Sequence, residues 1–273
     1  MLVAVLFVLT AMAGLVLAAR AKVSRSVRTI DALTRSAQAL CCAQAGLEVA
    51  KALVLTWQTD KMAGPVRLNI PVGLGTCDLE ISDEQGRFNI NCLIGSDGKP
   101  NQDRFAQLSR IAQTVGPQGQ AAAGQILAWM VRRPGSAGPV GSLDELLNIE
   151  GLDRQVLDAL IRYLTVYGDG QIDPNVADPV VLRSCLADQV LADRIIADRS
   201  EGPIGPLDPL PEAGLPKGAE LRYLSTSAQE GLYLRVRSVG HAKGLARRVC
   251  AILHPNPSAG KVDVLGYWEQ CDW

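Results

Sequence analysis

Two short loops carry the residues of this chain with the most specific chemistry. Asp97-Gly98-Lys99-Pro100-Asn101-Gln102-Asp103 and Gly168-Asp169-Gly170-Gln171-Ile172-Asp173-Pro174-Asn175 set side-chain oxygens at short spacing beside glycine. Loops of that kind suit a hard cation, because calcium takes about six to eight oxygens from carboxylates, amides and carbonyls. Asp97, Asn101, Asp103, Asp169 and Asp173 are therefore candidate calcium ligands. Neither loop follows EF-hand spacing. Asx turns place the same residue types in the same pattern for local hydrogen bonds alone.

Other reactive chemistry is sparse. The seven cysteines (Cys41, Cys42, Cys77, Cys92, Cys185, Cys250 and Cys271) form no CxxC pair and stand apart from His241 and His254, which speaks against zinc. Outside the cytoplasm, some of Cys77, Cys92, Cys185, Cys250 and Cys271 could pair; an odd total leaves at least one thiol free. No GxSxG, HExxH, P-loop or GxGxxG-helix pattern occurs, so the chain is expected not to be an enzyme. Leu146-Leu147-Asn148-Ile149-Glu150-Gly151-Leu152-Asp153 sits between two short predicted helices, as the hairpin of a helix-hairpin-helix unit does when its backbone amides hold DNA phosphates. Between Ser142 and Glu201, however, twelve acids face five arginines. Releasing counterions from DNA needs basic residues, and the whole chain has a net charge of −1. Nucleic acid is not an expected partner.

The elements that hold these residues begin with a rod. Residues 1–57 contain no proline, and Met1 to Ala19 contains no charge. About 20 apolar residues cross a bilayer, so 1–19 is read as a membrane span. From Arg20 to Trp57 the helix continues with charges, and Val23, Val27, Ile30, Leu33, Ala37, Leu40, Leu47 and Val54 recur at steps of mostly three and four. That is one apolar stripe on an amphipathic helix. At 1.5 Å per residue the rod is roughly 85 Å long, which points to assembly and not to catalysis. A cleavable signal peptide ending near Ala19-Arg20-Ala21 fits less well, because no basic residue precedes the run and the run exceeds about 7–15 residues. The missing basic flank leads us to expect that a short leader has been removed.

Beyond the rod, Cys77 to Ile81 and Arg87 to Leu93 read as a β-hairpin around Ser82–Gly86, with Phe88, Ile90 and Cys92 on one face. Helical patterns follow over 102–133, 143–149, 154–163, 178–185 and 186–199. Ser142 and Glu145 form a capping box, and Asp178-Pro179 an N-cap with proline at N1. Residues 201–217 carry five prolines and read as a loop. Residues 221–224, 232–239, 246–253 and 262–268 read as strands. The expected fold class is α+β: a pilin-like long N-terminal helix packed on an antiparallel sheet, with a large all-helical domain inserted between the sheet halves. The expected domains are 1–57 (helix), 58–100 with 218–273 (sheet) and 101–217 (helical insertion).

These residues resemble a known family, the large minor pseudopilins of bacterial type II secretion systems, of the GspK type. Asp83-Glu84-Gln85-Gly86-Arg87-Phe88-Asn89-Ile90-Asn91-Cys92-Leu93 is similar to the family's D/E-x-G-R-hydrophobic-N-I-N-x-L segment, with Gly86, Arg87, Phe88, Asn89 and Asn91 as its motif residues. Gln44 to Ala50 resembles the pilin-like stalk, Ser142 to Gly151 with Tyr163 to Gly168 its helical domain, and Val264 to Glu269 its terminal strand. Asp173 to Pro179 departs from the family's asparagine-rich segment. The resemblance implies a tip subunit of the pseudopilus that takes part in protein export. Its helix would sit in inner-membrane lipid as a single pass, with the body in the periplasm, and would bind other minor pseudopilins. N-terminal processing and methylation go with that role. Val5 would mark a tip subunit, standing where major pilins carry glutamate, and Gly14 would let neighbouring helices approach. The alternatives are a minor pilin-like protein of another filament and a membrane-anchored helix-hairpin-helix DNA-binding protein.

Overall fold

The structure is a computed structural model that describes residues 2–56, 64–133, 138–186, 188–204, 223–225, 232–256 and 259–269. Helix α1 runs unbroken from Leu2 to Thr56. Its upper part lies on an antiparallel five-stranded sheet made of β1 (Val66–Val72), β2 (Gly75–Asp83), β5 (Leu234–Ala242), β6 (Leu245–Asn256) and β7 (Lys261–Glu269) in the order β1-β2-β5-β6-β7. Ala43, Leu47, Ala50 and Val54 are buried against Cys77, Leu79, Ile81, Val236, Val249, Ala251 and Leu253. Small residues on the helix bring it close to the strands. A Cβ on Gly46 would collide with the side chains of Cys77 and Ser238. Ser238 Oγ in turn donates to the Ala43 carbonyl at 2.6 Å.

The sheet covers only part of the rod's stripe. Val23, Val27, Ile30 and Leu33 are 59–65% exposed. At about 100° per residue, these four face roughly the opposite side of the rod from Ala39, Ala43, Leu47 and Ala50. The sheet selects an alanine-rich face above residue 38 and leaves the valine–leucine face below it open.

The chain leaves the sheet at Asp83 and re-enters it at Leu234, directly opposite, since the two residues are register partners. Between them lie β3 (Phe88–Asn89), α2 (Gln102–Thr114), α3 (Gly119–Arg132), α4 (Arg154–Ile161), β4 (Leu164–Thr165), α5 (Pro179–Cys185) and α6 (Gln189–Glu201). Local chemistry sets the boundaries of these helices. Asn101, Asp153, Asp178 and Asp188 accept amides at the N-termini of α2, α4, α5 and α6. Ser142 and Glu145 close the expected capping box on a 3-10 turn, Leu143–Asn148. One apolar core gathers Phe88, Ile90, Leu93, Leu108, Ile111, Ile126, Leu146, Leu157 and Leu160. A second gathers Ile172, Val181, Leu182, Leu186, Leu191, Ile195 and Leu224.

Three expectations change here. The hairpin of the sheet is β1–β2, joined at Gly73-Leu74; residues 66–72 are a strand despite Pro71. Residues 87–93 are not its second arm. Phe88-Asn89 pairs in parallel with Leu164-Thr165, and Ile90–Leu93 is a 3-10 turn. Phe88, Ile90 and Leu93 need apolar cover on more than one side, which the helical core supplies, so residues 88–93 belong with the helices and not with the 58–100 sheet segment. Residues 223–224 contribute only an isolated bridge, Leu224 to Ile172.

Candidate functional site

Two parts of the molecule could carry function: the open length of α1, and the joint where the sheet hands over to the helical module. The joint is built on Glu84. Its side chain is fully buried, accepts from Arg235 Nε at 2.6 Å and Nη2 at 3.2 Å, and accepts from the Thr165 hydroxyl at 2.6 Å. Arg87 Nε lies 3.5 Å away. Burial alone would raise the Glu84 pKa, but Arg235 and Arg87 hold it below the usual carboxylate value. One carboxylate thus ties together β5, β4 and the turn after β2. Stacked rings run beside it: Tyr167 on Tyr233 at 5.9 Å and Tyr233 on His254 at 4.7 Å.

Next to this pair stands an acid without such a partner. Asp83 accepts the Gln85 amide at 2.8 Å. Burial, with Asp173 and Glu84 close by, pushes its pKa up to about 7. Burial raises Asp173 as well. Burial also pushes Arg87 down, to about 10.

The motif residues Gly86, Arg87, Phe88, Asn89 and Asn91 do come together, as a node of backbone satisfaction. Asn89 Nδ2 donates to the carbonyls of Tyr167 and Gly168 at 3.0 and 2.8 Å, and its Oδ1 accepts from Asn91 N. Asn91 Nδ2 donates to the Val140 and Val166 carbonyls, and Val140 N donates back at 2.7 Å. Gly86 lies against the Val176 backbone, where a Cβ would sit 2.7 Å from the carbonyl oxygen. Buried amides must be paired. These two asparagines do that for two loops, at Val140 and at Val166 to Gly168.

The five calcium candidates lie in two neighbouring loops, and the charge between the loops is an arginine. Arg104 Nη2 donates to the Gly170 carbonyl at 2.7 Å, and its guanidinium stacks 4.0 Å over the Tyr223 ring. Asp97 accepts the Lys99 amide, Asn101 caps α2, and Asp103 accepts the Tyr223 hydroxyl. Asp169 and Asp173 accept the amides of Gln171 and Asn175. Among the described residues, no three His, Cys, Asp or Glu side chains form a metal-holding group. Gln171, between Asp169 and Asp173, has a buried Oε1 with no hydrogen-bond partner.

The hairpin between residues 143–148 and α4 is present. The amides at the start of α4 that would face a phosphate, Gln155 N and Val156 N, are held by the Asp153 carboxylate at 2.7 and 3.4 Å. Cys250 is disulfide-bonded, with its partner outside the described residues. Cys41, Cys42, Cys77, Cys92 and Cys185 form no disulfide. On α1, Gly14 is exposed with nothing within 4 Å of a would-be Cβ. Val5 lies within the helix, and its side chain falls outside the described set. Among the described residues, α1 is the helix long and apolar enough to cross a membrane.

Sequence reasoning missed Glu84 and Arg235 as partners. A pairing across 151 positions leaves no local pattern.

No family model and no curated protein matches the sequence. A search of solved structures does find a likeness, to a chain of the GspK-GspI-GspJ complex from the type 2 secretion system of enterotoxigenic Escherichia coli. The TM-score is 0.61 at 17% sequence identity, over 91% of this chain and 99% of that one. The α+β architecture described above, a long N-terminal helix on an antiparallel sheet with helices set between its strands, is thus the fold of a component of that secretion complex, as the resemblance to GspK-type minor pseudopilins implies.

Proposed function

We propose that this chain is a minor pseudopilin of the GspK type, a cap subunit of the type II secretion pseudopilus that takes part in protein export. The lower part of α1 sits in the inner membrane as a single pass, and the body stands in the periplasm. The observation that carries this reading is the open face Val23, Val27, Ile30 and Leu33, on a helix continuous with a fold shared with a chain of the GspK-GspI-GspJ complex. An apolar rod leaves lipid only when partner helices take the place of the lipid around it. A disulfide at Cys250 agrees with an oxidising compartment. The helical module widens the head above the sheet, which suits the end of a filament better than its shaft. The joint ties the sheet to the helical module through the buried Glu84–Arg235 pair.

The test is co-purification of the full chain, in detergent, with the two smaller minor pseudopilins of the same secretion system. A stable three-chain complex supports the reading, and failure to bind either chain overturns it. Intact mass of the membrane form should show a processed, N-methylated terminus.

The same reading keeps calcium at one place only, the Asp169–Asp173 loop, where the orphaned Gln171 oxygen supports it. A rise in Tm with calcium that is lost in Asp169→Asn would uphold the ion there. A Tm that does not respond to calcium removes it.

A further inference from the structure

The side chains of Arg20, Lys22, Arg25 and Arg28 are exposed and make no ion pair or hydrogen bond among the described residues. The first acid in the chain is Asp31, and it is already paired with Arg35. Four unpaired cations therefore lie within nine residues, directly after the apolar run that ends at Ala19. A headgroup layer is roughly 5–8 Å deep on each side of the hydrocarbon core. At 1.5 Å per residue, Arg20 to Arg25 lie within it, and the long side chain of Arg28 reaches back to it. A shallow groove runs along this stretch of α1, lined by Ala18, Ala21, Lys22, Arg25, Ser26 and Thr29. Ala18, Ala21 and Ser26 are small, and they leave room beside the helix between the long side chains of Lys22 and Arg25.

Lysine and arginine beside a span draw that flank towards the cytoplasmic side. With the body in the periplasm, these four cations need counter-charge on the side where they finish. We infer that Arg20, Lys22, Arg25 and Arg28 form a docking site for anionic phospholipid headgroups at the exit of the membrane span. The inference rests on the reading of α1 as a span, not on which filament the chain joins. Its consequence is that the chain waits in membrane patches rich in anionic lipid, and that entry into a filament breaks these contacts. Each basic residue near an anionic surface contributes about 1 kcal/mol, a factor of about five.

The test reconstitutes the full chain into vesicles of phosphatidylcholine mixed with phosphatidylglycerol, extracts it with its surrounding lipid and weighs that lipid by mass spectrometry. Phosphatidylglycerol is expected to be enriched over the bulk by about fivefold or more, and less so at high salt. The combined variant Arg20→Gln, Lys22→Gln, Arg25→Gln, Arg28→Gln is expected to insert equally well and to lose the enrichment. Equal recruitment of both lipids by the parent overturns the inference, as does enrichment that persists in the variant. A variant that keeps its lipid but loses its protein partners assigns the cations to those partners and overturns it too. If the parent inserts into no vesicle, the span reading itself fails, a result separable from loss of lipid selectivity.

Discussion

Arg235 grips Glu84 through two guanidinium nitrogens, at 2.6 and 3.2 Å, with both side chains buried. The pair joins β5 to the first turn of the helical module. Removing one partner of a buried ion pair strands the other charge, at a cost of about 3–5 kcal/mol. Glu84→Ala and Arg235→Ala should each lose about that much in chemical denaturation. The double variant should lose much less than the sum of the two. Additive losses would show that the pair does not couple the parts.

Asp83 sets a pH dependence of known sign. Its folded pKa, about 7, lies above the ordinary 3.8, so the folded state holds the proton more tightly than the unfolded chain. Its contribution to stability is then full below about pH 4, falls as pH rises, and levels off above about 7, by up to about 4 kcal/mol. Asp173, raised in the same direction, adds to the slope. Asp83→Asn should flatten the Tm profile over that window and raise Tm at neutral pH. A parent profile that rises with pH through it would contradict this placement of Asp83.

Glycine substitutions separate contact from propensity. Alanine in place of a helical glycine stabilises by about 1 kcal/mol where there is room. Gly124 in α3 has nothing within 4 Å of its would-be Cβ, so Gly124→Ala should raise stability by roughly that amount. At Gly46 a Cβ meets Cys77 and Ser238, and overpacking costs about 1–3 kcal/mol. Gly46→Ala should lower Tm despite its better helix propensity. Paired thermal melts of the two variants check both signs.

Asn89 supports two otherwise unpaired carbonyls, those of Tyr167 and Gly168. An orphaned buried polar group costs about 1–3 kcal/mol. Asn89→Ala should lose at least that much, and hydrogen exchange should quicken around residues 164–168 before it does in the sheet.

Val27→Asp and Ile30→Asp test the open face of α1. Both residues are exposed, so the melting of the body should be unchanged. Assembly with partner chains should be lost. Intact assembly in both variants would move the contact surface elsewhere.

Much of this architecture is legible in the chain, and the failures have physical causes. Two helix starts announce themselves through local oxygens, Ser142 and Asp178, and both cap as expected; Asn101, Asp153 and Asp188 cap as well, which the sequence reading did not single out. Strand β5 alternates in its sequence, Leu234, Val236 and Ser238 against Arg235, Arg237 and Val239. Pro71 hides β1, because proline argues against a strand except at an edge, and β1 is an edge strand. The alternation of Phe88, Ile90 and Cys92 imitates a strand, but period two over so few residues does not tell a hairpin arm from a chain threading under helices. Asp97, Asn101, Asp103, Asp169 and Asp173 stand out by type as calcium candidates, and Gly86 to Asn91 by motif. Nothing local announces that Asp83 is buried beside Asp173, or that Glu84 meets Arg235, because each contact joins segments far apart in the sequence.

Asp83 and Leu234 face each other across one strand spacing, about 4.8 Å, although 150 residues lie between them. Closing so long a loop from a disordered chain costs about (3/2)RT ln n, roughly 4–5 kcal/mol. A folded helical module removes most of that cost by delivering both ends to one place. The central β2–β5 pairing, on which α1 rests, should therefore form last. The face of the sheet that carries α1 is thus complete only after the helical module has folded.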